Sequence, residues 1–145
     1  MRKLFLLVFS MLTCGIMLSC RTLPSDIPYT VMDHYFQSNK VDKLPSATVT
    51  TAEEFHQLFG MAPVMGEHGM PTPVDFDKEY VIAVSKPATD VETELLPMSL
   101  KHDADGNVVF TYKVKTGRKL SYTLVPCLLI KVSKDIKGNV ILNEQ

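Results

Sequence analysis

The sequence predicts an α+β fold: a single domain built on a mostly antiparallel β-sheet of about six strands, packed with one short helix. Three stretches carry that expectation. Residues 108–114 read VVFTYKV, with Val108, Phe110, Tyr112 and Val114 alternating against Val109, Thr111 and Lys113, directly after the turn signal DADGN. Residues 80–84 read YVIAV, a short unbroken apolar run of the kind buried on both faces of a sheet. The clearest helical period is in TTAEEFHQLFG, residues 50–60. There Thr51 and Glu54 have the form of a capping box, and Gly60 stands where a helix would close.

Taken in order, residues 29–36 (YTVMDHYF) are rich in β-formers and predict the first strand, followed by the polar connection SNKVDKLPS. In the helix, Phe55, Leu58 and Phe59 form one apolar stripe facing a core, while Glu54, His56 and Gln57 face away. Residues 61–73 (MAPVMGEHGMPTP) hold three prolines and two glycines, which forbid regular structure. The 80–84 strand follows, then an extended return through DVETELLPMSLKH, the 103–107 turn and the 108–114 strand. KTGRK reads as a further turn. LSYTLVPCLLIKV is a long strand in which Pro126 demands a bulge or an edge position. KDIKGN is the last turn, and Val140, Ile141 and Leu142 form the last strand.

The first residues address the chain. Met1-Arg2-Lys3 and the apolar run after them form a secretory signal, residues 1–19, which is shorter than the roughly 20 residues of a spanning helix. The end of that run, Met17-Leu18-Ser19-Cys20, resembles the bacterial lipobox, with Cys14 behind Thr13 a poorer candidate. The resemblance implies a diacylglycerol on the Cys20 sulfur and a third acyl chain on the new amino terminus, enough to hold the protein on a membrane. Residues 20–28, with two prolines, then read as the lipidated cysteine and a tether, and residues 29–145 as the domain. Arg21 gives no aspartate retention signal, so the expected location is the cell envelope, lipid-anchored at the outer membrane.

Loss of residues 1–19 removes Arg2 and Lys3 and no acid, leaving 13 basic and 16 acidic side chains. That balance gives no nucleic-acid footprint. With Cys14 removed and Cys20 lipidated, Cys127 stands alone, so no internal disulfide forms. The mature length of 126 residues suits one domain with a core that needs no staples.

Four groups of residues invite a chemical role. Asp103, Asp105 and Asn107 alternate as in a calcium loop, but Val108 and Val114 occupy the glycine and glutamate places, so a hairpin turn is expected. Asp90, Glu92 and Glu94 share a strand face, where pairing with Lys113 and Lys115 is the plainer reading than a cation site. Cys127, within the apolar PCLLI, reads as a small buried hydrophobe rather than a nucleophile. Met61, Met65, His68 and Met70 have the donor types that suit Cu(I), though methionine also fills irregular gaps.

GMAPVMGEHGMPTPVDFDKEYVIAV, FTYKV and SYTLVPCLLIKV together resemble a group of uncharacterised lipoproteins of gut Bacteroidales, over essentially all the mature chain. More distantly, VDFDKEYVIAV and SYTLVPCLLIKV with a final short strand are similar to the C-terminal domain family of the protease complex subunit PrcB. That family's glycine-rich stretch is replaced here by SKPATDVETE. Neither resemblance implies a catalytic motif, a cofactor or a metal. The expected function is therefore non-enzymatic: an envelope lipoprotein, held to the membrane through Cys20, that binds an envelope protein partner. Its expected contact surface is the 61–73 loop, with Met61, Val64, Met65, His68 and Met70. The alternatives are a lid whose methionines are buried against the sheet, and a small copper-binding protein or enzyme using His68 and its methionines.

Overall fold

The computed structural model describes residues 26–145; the expected signal segment, Cys20 and residues 21–25 lie outside the described residues. The elements are β1 (Thr30–Val31), β2 (Tyr35–Gln37), β3 (Thr48–Val49), α1 (Ala52–Leu58), β4 (Phe59–Met61), β5 (Glu79–Ser85), β6 (Thr89–His102), β7 (Val108–Leu124), β8 (Cys127–Ser133) and β9 (Val140–Glu144). They form a sheet of order β1-β8-β5-β3, a pair β2-β4, and a sheet of order β6-β7-β9. Every pairing is antiparallel except β7 with β9, which run parallel.

The apolar run of β5 explains the layering. Side chains alternate across a strand, so a strand apolar at every position must bury both faces. Tyr80, Ile82 and Val84 join Leu128, Ile130 and Val132 of β8 in a core shared with Leu95, Leu100, Val108, Phe110 and Tyr112 of the β6-β7-β9 sheet. Val81, Ala83 and Leu129 point the other way, into a second core with Met32, Val49, Phe55, Leu58 and Phe59. The central sheet thus lies between a second sheet on one face and α1 with the β2-β4 pair on the other.

α1 starts as its sequence requires. Thr51 is the N-cap, its hydroxyl accepting from the Glu54 amide at 3.2 Å, and Glu53 and Glu54 occupy the first turn, where the helix dipole favours negative charge. Phe55, Leu58 and Phe59 are buried and His56 is exposed. A seven-residue helix cannot persist on propensity, so this stripe holds it. Leu58→Ala is expected to cost about 2–5 kcal/mol in urea unfolding, and His56→Ala within about 0.5 kcal/mol; equal small effects would mean that the stripe does not carry the helix.

Several expectations are corrected. The described residues contain nine strands, not six. The expected 29–36 strand divides at His34, whose φ of 65° turns the chain from β1, on β8, to β2, on β4. Gly60 does not close the helix: the backbone is already extended at Phe59, and Gly60 sits in β4 opposite Phe36, whose ring would lie 2.4 Å from any Cβ there. KTGRK is not a turn, because β7 continues through it against β6, with Thr116 opposite Thr93 and Lys119 opposite Val91. Irregularities at three places in the ladder absorb the misfit, two with the extra residues on β7 and one with the extra residue on β6.

Pro126 marks neither a bulge nor an edge within one strand; it lies where the chain leaves the β6-β7-β9 sheet for β8. A proline lacks the amide a continued ladder would need, while its carbonyl accepts from the Lys86 amide at 2.9 Å. The last residues of the expected tether are already on the fold: Asp26 bridges Lys101, and the Ile27 amide donates to the Leu100 carbonyl at 2.8 Å with its side chain buried.

Candidate interaction surface

Met61, expected in the loop, ends β4; the rest of the 61–73 stretch is irregular, mostly exposed in its side chains and fixed in its backbone. At its tip, the Val64 amide donates to the Gly69 carbonyl at 2.8 Å and the Gly69 amide to the Gly66 carbonyl at 3.4 Å. Gly66 (φ 110°) and His68 (φ 60°) take left-handed conformations. Gly69 must be glycine for another reason: a Cβ there would lie 1.9 Å from the Val64 carbonyl oxygen.

The roots of the loop are clamped by the segment between β1 and β2. The Ala62 amide donates to the His34 carbonyl at 2.8 Å, and Thr72 exchanges two bonds with the Asp33 backbone, at 3.0 and 3.3 Å. The His34 ring nitrogen Nε2 lies 2.8 Å from the His68 carbonyl. A carbonyl only accepts, so Nε2 carries the proton in this contact. The Tyr35 hydroxyl donates to the Thr72 carbonyl at 2.7 Å, its pKa pushed up by burial, and Lys131 donates to the Pro73 carbonyl at 3.0 Å. Tyr35 itself rests edge-on against Phe55, so the loop is anchored through that ring to the helix core.

On this frame Met61, Val64, Met65 and Met70 are 58, 58, 101 and 75% exposed. His68 is exposed as well, and Phe36, on the strand beside the loop, is 46% exposed. The lid alternative is overturned, since a lid would have its methionines beneath it. Side chains that adapt in shape, on a backbone already ordered, can form a contact at little further entropic cost.

The other candidates separate. The Asp103 carboxylate is spent on its own turn, accepting from the Asp105 and Asn107 amides and the Asn107 side chain at 2.8–2.9 Å. Asp90 pairs with Lys119 at 3.4 Å and Glu94 stands opposite Lys115 as expected, whereas Lys113 stands opposite Leu96 and pairs with no member of the acidic set. Glu92 instead lies against Gly117, its carboxylate 2.4 Å from where a Cβ would be. Cys127 is half-buried, not fully buried as its apolar neighbours predict. Burial pushes its thiol up, partly offset by a hydrogen bond from the Gln37 backbone, so it stays protonated at neutral pH. Among the described residues no group of three or more His, Cys, Asp or Glu side chains is placed to hold a metal ion. No helix there is long and apolar enough to cross a membrane.

One cluster has no local signature in the sequence. Lys86 donates to the Glu144 carboxylate, which also accepts from the Tyr112 hydroxyl at 3.1 Å, and the Lys86 ammonium sits 5.7 Å from the Tyr112 ring centre. Its members are far apart in the chain, so spacing could not reveal it. The Lys86 bond, then the Tyr112 bond, holds Glu144 below the ordinary carboxylate range, and bonds to Asn107 do the same for Asp103. Both groups have depressed folded pKa values, so their stabilisation is present above the ordinary carboxylate pKa of about 4 and is lost as pH falls through the lowered values. The melting temperature is expected to drop on acidification through that window, with a shallower drop in Glu144→Gln; an unchanged slope would mean that the cluster does not couple to folding.

No protein-family model matches the chain, and neither the curated proteins nor the solved structures yield a match. The functional reading therefore rests on the residues themselves.

Proposed function

We propose that the protein is a non-enzymatic lipoprotein of the bacterial cell envelope, anchored through Cys20 at the outer membrane, that binds a protein partner through the 61–73 loop. The observation that carries the reading is the pairing of exposed Met61, Val64, Met65 and Met70 with a loop backbone clamped by Asp33, His34 and Lys131. A loop of that kind presents an apolar surface without having to order itself on binding. The lipobox-like stretch before Cys20 and the resemblance to Bacteroidales lipoproteins support the address.

Met65→Ser combined with Met70→Ser tests the binding role. The double variant is expected to lose its partner in pull-downs from native membranes while its melting temperature stays within a few degrees of the parent, because neither side chain is buried. A lowered melting point with an unchanged pull-down pattern would end this reading. Protection of these methionines from oxidation by Cu(I) would assign the loop to copper instead. Cys20→Ala separates anchoring from binding: it should release the protein from membranes on a salt wash and leave the loop's partner bound in detergent extracts.

A further inference from the structure

The two facing sheets are joined at one edge and open at the other. At the joined edge the chain itself bridges them, with Asp26 and Ile27 on β6 and Thr30–Val31 on β8. At the open edge β3 ends one sheet and β9 ends the other. Between them lies a cleft of about 300 Å³ lined by Tyr80, Ile136 and Val140 together with Thr48, Lys134 and Lys137, the Lys134 ammonium donating to the Phe76 carbonyl. No carboxylate lines it.

The outer side of β9 carries hydrogen-bonding groups that nothing among the described residues engages. The Val108 amide donates to the Asn139 carbonyl and the Gln145 amide to the Tyr112 carbonyl, both at 2.9 Å. With the parallel register between them, Ile141 and Asn143 also turn their backbone groups to β7. The amides and carbonyls of Val140, Leu142 and Glu144 therefore face outwards, at the two-residue repeat of a strand.

Proteins usually blunt such edges with proline, lysine, bulges or short strands. The other edges here follow that rule. β6 carries Pro97, a bulge at Met98 and the Asp26 bridge, and β1 and β3 are two residues each. β9, Val-Ile-Leu-Asn-Glu, has no proline, no lysine and no irregularity, and its Ile141 and Leu142 are 39 and 37% exposed.

We propose that this edge is a strand-addition site for an extended acidic segment of a partner protein. The segment pairs its backbone with Val140, Leu142 and Glu144, places an aliphatic side chain in the cleft, and sets a neighbouring carboxylate beside Lys137. Backbone pairing supplies affinity and the cleft supplies selectivity. A second copy of this chain is the poorer occupant. Antiparallel pairing of two β9 strands about Leu142 would bring to Val140 a Glu144 already bonded to its own chain's Lys86 and Tyr112, not a carboxylate available to Lys137. Five residues a side also fall well short of the about 20–30 that a stable interface needs. The site is separate from the 61–73 loop and does not depend on it.

The test uses the full-length protein in detergent and fluorescein-labelled seven-residue peptides alternating leucine with aspartate. These are expected to bind, to slow hydrogen exchange in residues 139–145, and to bind about tenfold more tightly than the same peptides with lysine for aspartate. Leu142→Pro removes an outward amide and no bond to β7, so it should abolish binding while lowering the melting temperature only by the few degrees that loss of a partly covered side chain brings. Should that variant misfold, Lys137→Glu decides, since it should cancel the preference for the acidic peptide. Equal binding of both peptides, protection confined to the 61–73 loop, or a concentration-dependent dimer that Leu142→Pro abolishes would overturn the proposal.

Discussion

Phe55→Ala is expected to cost about 3–5 kcal/mol of unfolding free energy, the range for truncating a buried phenylalanine. The ring is almost fully enclosed, with Tyr35, Phe59 and Phe76 centred 5.1, 5.3 and 5.5 Å away. Its loss removes apolar burial and leaves a void that short surrounding elements cannot collapse to fill. The effect should also travel. Tyr35 packs on Phe55 and bonds Thr72, so the variant should speed amide exchange at Ala62 and Thr72, at the roots of the exposed loop. Chemical denaturation reads the first effect and hydrogen exchange the second. A loss below about 1 kcal/mol would mean that the ring is not central to this core.

An equal loss is expected from Phe110→Ala, in the other core. Phe110 is wholly buried, stands opposite Leu100 of β6 and Leu142 of β9, and meets Tyr29 edge-on at 6.0 Å. It shares no aromatic partner with Phe55, and the two lie in different clusters. Their costs should therefore add to within about 0.5 kcal/mol. A large departure from additivity in the double variant would mean that the central sheet transmits strain between its faces. Unfolding of either single variant in water would place the parent near the lower end of the roughly 5–15 kcal/mol stability of natural domains.

The features legible in the sequence are those that local chemistry decides. Thr51 caps a helix through an amide three residues on, Asp103 closes a turn through its own neighbours, and YVIAV is apolar at every position because both faces of β5 are covered. What could not be read depends on distant partners. Nothing near Gly60 announces that Phe36 lies over it, and nothing in KTGRK shows that β6 is long enough to keep β7 extended through Gly117. Pro126 was legible as a break, but which sheet each side joins depends on β5. The candidate surface divides the same way. The composition of the 61–73 loop marks it as irregular and methionine-rich, whereas its clamping by His34, Tyr35 and Lys131 comes from residues far along the chain. The cleft beside β9 has no signature beyond the absence of lysine and proline from that strand.

The pairing of β1 with β8 bears on how fast the molecule forms. Val31 stands opposite Ile130 and Thr30 opposite Lys131, about a hundred residues away along the chain, while β9 joins the second sheet only after β8 has crossed back. Such contacts require long loops to close before they are rewarded, and domains dominated by them fold in roughly milliseconds to seconds rather than microseconds. During that interval β5, apolar at nearly every position, lacks its β8 neighbour. A newly made chain would have its most aggregation-prone strand waiting for β8, one of its last, so holdase chaperones should matter more for its yield than for that of a helical protein of the same length.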